Sequence, residues 1–156
     1  VKLLDIDPKE WAQVLAVNLT GVFSCVQAEI AQMVQQEAGG SIVNTASICG
    51  LVALPHATAY NSAKHGVIGL TKSAAVEYGP KKIRVNAVCP GFIDTPMLAK
   101  GAGASQEVLD GVVRQLPIRR IADPSEVADV VAWLMSPHSS YVTGVAMPID
   151  GGWTAQ

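Results

Sequence analysis

Apolar positions along the chain switch between the three- and four-residue spacing of helices and the short β-branched runs of strands. Trp11, Leu15, Val22, Val26, Ile30 and Met33 fall on one face, predicting a long helix over roughly residues 8–37. Asp7 precedes it as a capping residue, Pro8 takes the first helical position, and Gly39-Gly40 closes it. SIVNTAS then predicts a short strand with a polar edge at Thr45 and Ser47. After the loop ICGLVALPHAT, a second helix runs to about Tyr78 and stops at Gly79-Pro80. KKIRVNAVCPG predicts a second strand, apolar at Ile83, Val85, Ala87 and Val88 and broken by Pro90-Gly91. Residues 92–117 form an irregular, glycine-rich insert with a helix over 105–115, the pattern of a lid. Asp123-Pro124-Ser125-Glu126 opens a further helix through Leu134, and Val145 to Ile149 is the last strand.

Strands alternating with helices imply parallel βαβ units with right-handed crossovers. The expected fold is therefore α/β, a doubly wound parallel sheet of about three strands with helices on both faces. A chain of 156 residues makes one domain, 1–156. In such a sheet ligands bind along the carboxyl edge of the strands, where Ser47 and Pro90-Gly91 lie. Composition agrees, with 49% hydrophobic and 15% charged residues. The net charge of −2 and the lack of any basic cluster beyond Lys81-Lys82 and Arg119-Arg120 argue against nucleic acid. Cys25, Cys49 and Cys89 fit neither a disulfide framework nor a metal site, and suit buried thiols in a reducing cytoplasm. No unbroken apolar run reaches the roughly 18 residues of a membrane span, so a soluble, cytoplasmic protein is expected.

Tyr60 and Lys64 stand one turn apart on the second helix and share a face. A phenol titrates near 10, and an adjacent ammonium favours its ionised form, bringing proton transfer toward neutral pH. Ser47 can face the same edge and donate a hydrogen bond to a substrate oxygen. Plainer roles exist: a packed tyrosine ring, a lysine reaching for water and a turn-capping serine. A Ser-Lys hydrolase using Ser47 and Lys64 would lack the GxSxG elbow, since the local run is NTASICG.

From Trp11 onward the chain resembles the carboxyl-terminal part of the short-chain dehydrogenases and reductases. The motifs are VNLTG with Asn18, GSIVNTASICG with Ser47, YNSAK with Tyr60 and Lys64, IRVNAVCPGFIDTPM, and the ending AMPIDGGWTAQ, in the family's order and spacing. The resemblance implies the carboxyl-terminal half of a Rossmann-type sheet and an oxidoreductase using NAD or NADP on a small secondary alcohol or ketone. It makes Tyr60 the general acid or base and gives Ser47 the substrate oxygen to hold. Lys64 would depress the tyrosine pKa and bind the nicotinamide ribose. Asn18 would steady a water joining Lys64 to solvent, or serve as a kink or helix-pairing residue. Pro90, Gly91, Ile93 and Thr95 would approach the carboxamide, Gly91 permitting close backbone contact. The resemblance further implies a homodimer through helices 8–37 and 58–78, or a homotetramer through the last helix and strand. Ala59, Ala63, Gly66, Gly69, Ala74 and Ala75 would let a symmetry mate approach closely. In some relatives the terminal residues help hold a magnesium ion; at Gln156 a disordered tail is expected instead.

The family's TGxxxGxG turn and NNAG motif do not occur in these 156 residues. A complete Rossmann unit would need roughly 90–100 residues ahead of Val1. The chain is thus expected to be the catalytic half of a longer enzyme; the alternative is a truncated, catalytically idle dimerisation or scaffold module. The first strand would then expose its edge, and NAD cannot be told from NADP. A substrate pocket is expected between the loop from Leu51 to Thr58 and the lid, both mainly apolar and small, suiting a compact alcohol or ketone, cyclic ones included.

Overall fold

In the computed structural model, residues 1–101 and 105–156 are described. Among them β1 (Gly40–Thr45), β2 (Ile83–Pro90) and β3 (Ala146–Ile149) form one parallel sheet in the order β1-β2-β3. Parallel neighbours need crossovers: α3 (Thr58–Tyr78) joins β1 to β2, and α6 (Pro124–Met135) lies between β2 and β3. Ahead of the sheet stand α1 (Pro8–Leu15) and α2 (Gly21–Met33), and the insert after β2 holds α4 (Pro96–Gly101) and α5 (Gln106–Gln115). This is the partial Rossmann-type α/β sheet expected.

Strand alternation sorts the two faces. Ile42, Ile83 and Val85 pack with Val26 and Ile30 of α2 and with Ala74 and Ala75 of α3. Ala46, Ala87 and Cys89 extend that layer onto Val67 and Ile68. The opposite face meets α6 through polar contacts. Ser41 Oγ donates to Leu134 O at 3.0 Å and Arg84 Nη2 to the same carbonyl at 2.9 Å, with Ser139 Oγ a third donor at 2.9 Å. Side chains of β1, β2 and the following turn thereby satisfy carbonyls at the carboxyl end of α6. Its amino end is closed by a capping box. Asp123 accepts from Ser125 N–H at 2.8 Å, and Glu126 accepts from Asp123 N–H at 2.9 Å. Arg120 grips Glu126 at 2.6 and 2.7 Å and, with that backbone bond, holds its carboxyl down to about 2.

The first helix differs from expectation. It ends at Met33, and between α1 and α2 it widens into a π turn over Ala16–Thr20, closed by Gly21 N–H on Ala16 O. Pro8–Met33 nevertheless forms a continuous rod of 26 residues with a window of mean hydropathy 1.5, long and apolar enough to cross a bilayer by length and composition alone. That corrects the expectation of no such stretch: polar residues interrupt every run, so the average hides from a search for unbroken apolar sequence. In the fold Val26 and Ile30 enter the core while Val17 and Phe23 remain exposed.

The small residues of α3 also serve differently. Ala63, Ala74 and Ala75 are buried in the chain's own core. A Cβ at Gly66 would sit 2.9 Å from both Cδ atoms of Leu19, so Gly66 seats the π turn, whereas a Cβ at Gly69 would meet nothing within 4 Å. The carboxyl end is ordered, contrary to the disordered tail expected: Trp153 stacks edge-on against Phe92 at 5.2 Å, and Gln156 Nε2 donates to Gln115 O at 3.0 Å. In the insert, α5 matches the expected helix with Ser105 at its N-cap, whereas α4 is new. Part of the KGAGAS stretch lies outside the described residues.

Candidate active site

The carboxyl end of β1 leads directly to Ser47, whose extended backbone turns into a 3-10 turn over Ile48–Gly50. Ser47 Oγ accepts from Cys49 N–H at 3.1 Å and so caps that turn. The turn is pressed onto α3: a Cβ at Gly50 would lie 2.7 Å from Lys64 O and 2.8 Å from Ile68 Cδ1. Only glycine allows this approach, and the approach carries Ser47 to Tyr60. Burial pushes the Tyr60 phenol above its usual pKa, and a hydrogen bond from the Ser47 hydroxyl opposes the rise.

Lys64 is 8% exposed, with Nζ 5.5 Å from the Tyr60 ring centroid and donating to Thr45 O at 2.9 Å. Burial pulls its pKa below the ordinary lysine value, against the opposing effect of Cys49 and Cys89 nearby. Burial thus outweighs the depression of the tyrosine pKa that was expected: the phenol lies high, with Ser47 opposing the rise. The physical reason is burial of the phenol; the Lys64 ammonium itself sits over the ring and is held by a strand carbonyl. No hydrogen bond among the described residues joins Lys64 to Ser47.

Asn18 lies in the π turn, and its side-chain amide donates to Val14 O at 3.0 Å within its own helix. No described hydrogen bond links it to Lys64. Pro90 ends β2, and the loop beyond is fastened on two sides. Gly91 N–H donates to Ile149 O at 3.0 Å, Asp94 N–H to Ala122 O at 2.9 Å, and Ile93 pairs with Ala122 in a parallel bridge. Thr95 Oγ1 accepts from Leu98 N–H at 3.4 Å at the start of α4. Gly91 does permit a close approach, but to protein: a Cβ there would meet Asp150 Cα at 2.9 Å.

The expected pocket between loop and lid is divided among the described residues. Ala53, Leu54, Pro55 and His56 line one hollow of about 690 Å³ with the Asn61, Ser62 and His65 side of α3. Phe92, Leu116 and Ile118 line another of about 290 Å³ beside Arg120 and Asp150. Neither is lined by Tyr60 or Lys64.

A nicotinamide cofactor fits these residues. The Lys64 ammonium has three donors and one acceptor among the described residues, Thr45 O, which leaves donors for ribose hydroxyls.

A family model described as enoyl-(acyl carrier protein) reductase matches residues 1–154. The chain belongs to the short-chain dehydrogenase/reductase family. It is 44% identical over 149 residues to the A-factor type gamma-butyrolactone 1'-reductase (1S-forming) of Streptomyces virginiae, which covers 96% of this chain and 58% of that protein. Cyclohexanol dehydrogenase of Acinetobacter sp. (strain SE19) is 44% identical over 146 residues, 94% of this chain and 55% of that one. The solved 4-hydroxyisoleucine dehydrogenase complexed with NADH superposes with a TM-score of 0.93 at 31% identity, over 100% of this chain and 64% of that one. The chain thus spans little more than half the length of these curated relatives.

Within this short-chain dehydrogenase/reductase chain, the sequence marked Thr45 only as the polar edge of a strand and did not mark Gly50 or Ala122. Gly50 carried a usable signal, a glycine three residues beyond Ser47 in a strand-to-turn segment. Thr45 and Ala122 act through backbone carbonyls, which leave no mark in residue type.

Proposed function

We propose that the chain carries the catalytic part of an NAD(P)-linked oxidoreductase interconverting a small secondary alcohol and its ketone. The observation that carries this reading is the meeting of Ser47, Tyr60 and Lys64 at the carboxyl edge of the sheet, with the Ser47 hydroxyl close enough to the phenol to oppose the rise in its pKa and Lys64 buried beside its ring. When bound, the nicotinamide gives or takes the hydride. In reduction, Tyr60 gives its proton to the substrate oxygen, and its high pKa keeps that proton available at neutral pH. Ser47 donates to the same oxygen, and the Lys64 ammonium supports the phenolate left behind. Lys64 would also bind the ribose hydroxyls of the cofactor, Pro90, Gly91, Ile93 and Thr95 would approach its carboxamide, and Asn18 would steady a water joining Lys64 to solvent.

A cyclic substrate is supported by the names of relatives acting on a gamma-butyrolactone and on cyclohexanol. A homodimer or homotetramer, in the cytoplasm, is supported by the exposed apolar residues Val17, Phe23, Val34 and Val76 and by three free thiols.

The test follows NAD(P)H absorbance with cyclic secondary alcohols and ketones in the full-length enzyme. Tyr60→Phe should lower kcat by about 10²–10⁴-fold with an unchanged circular dichroism spectrum. Oxidation, which needs the phenolate, should rise with pH, and reduction should decline as pH climbs through the raised phenol pKa. Undiminished turnover in Tyr60→Phe would remove the proton relay.

A further inference from the structure

Beneath the site lies a buried polar pair that the reaction scheme does not use. Asn44 on β1 and Thr71 on α3 are 7% and 0% exposed. Thr71 Oγ1 spends its one proton on Val67 O at 2.8 Å, so it accepts from Asn44 Nδ2 at 2.9 Å. The hydrogen bonds run one way, from strand to helix. Thr71 stands two turns beyond Lys64 on α3, and Asn44 directly precedes Thr45, whose carbonyl receives the Lys64 ammonium. We propose that Asn44 and Thr71 are positioning residues for Lys64, their hydrogen bond holding β1 against α3 so that the Thr45 carbonyl meets the ammonium.

An apolar pair could fill the same space at no loss of stability, since a buried hydrogen bond adds little net free energy over well-packed carbon. What an apolar pair could not do is fix the sliding of strand against helix, because dispersion contacts are non-directional. Lys64 needs that fix: its burial disfavours the charged form, and Thr45 O is its one hydrogen-bond acceptor among the described residues. The titratable groups facing it are Tyr60 on its own helix, Cys49 from the turn after Ser47 and Cys89 from β2. This inference rests on the proposed role of Lys64, so its first readout is independent of turnover.

The test titrates Lys64 Nζ by nitrogen-15 NMR in the full-length protein, the signal assigned by its loss in Lys64→Arg. Thr71→Val should lower the Lys64 pKa, since the carbonyl that favours the ammonium is released, and Thr71→Ser should restore it. In parallel kcat should fall about ten- to hundredfold in Thr71→Val with KM little changed, and recover in Thr71→Ser. An unchanged Lys64 titration in a folded Thr71→Val protein would overturn the proposal, whatever the loss of stability. Should that variant not fold, Asn44→Ala is read by the same titration against the same expectation. Absence of any dinucleotide-linked turnover in the wild type would overturn the oxidoreductase reading alone, and the NMR titration would still decide the positioning.

Discussion

Single atoms govern how this site is built. Gly50 has no Cβ, and the 2.7 Å that a Cβ would leave to Lys64 O shows how tightly the turn after Ser47 is seated on α3. Gly50→Ala must push the turn outward, at a cost of about 1–3 kcal/mol as for other overpacked cores. It should also part Ser47 from Tyr60. A urea midpoint lowered together with kcat is the expected result, whereas a stable variant with full kcat would mean that the turn can shift without disturbing the site. Lys64 illustrates the same dependence on placement. Four residues of helix set its face, but the strand carbonyl of Thr45 sets where its charge sits.

Among the elements, α6 is the most fully capped at both ends. Glu126 titrates at about 2 against an ordinary value of 4.5, because Arg120 and the Asp123 N–H both favour the carboxylate. A folded pKa below the unfolded one means stability that is fully present above the unfolded value and is lost as pH falls through the folded one. Chemical denaturation of wild type and Glu126→Gln should show a gap that is constant from pH 5 to 7 and closes on acidification toward about pH 2. A gap that persists at low pH would show that charge at Glu126 is not what stabilises the cap. The rod formed by α1, the π turn and α2 makes a different point. Its π turn contains no proline or glycine, and Leu19 docking onto Gly66 is the contact that accompanies the widened turn.

For the whole molecule, the outstanding feature is apolar surface along α2 and α3. A groove of about 390 Å³ between them is lined by Phe23, Val26, Ile30, Val34, Leu70 and Tyr78, and Phe23 is 46% exposed. Such a face is costly in water, and a second copy of the chain would cover it in a symmetric assembly. Sedimentation should find the wild type as a dimer or larger and Phe23→Asp shifted toward monomer with its helical content retained. A monomeric wild type at micromolar concentration would remove the oligomer.

The chain alone determined the three strands and the main helices, α4 and the π turn excepted, because periodicity, N-cap residues and glycine stops are local. It also marked Ser47, Tyr60 and Lys64, whose spacing within two short motifs is itself a local property, and the family they belong to. Tertiary structure decided the rest. The π turn at Asn18, the hold of Thr45 on Lys64, the seat of Gly91 against Asp150 and the separation of loop and lid hollows each depend on residues distant in the chain. Several work through backbone atoms common to every residue. A sequence can specify such contacts without displaying them, because only folding brings their two halves within reach.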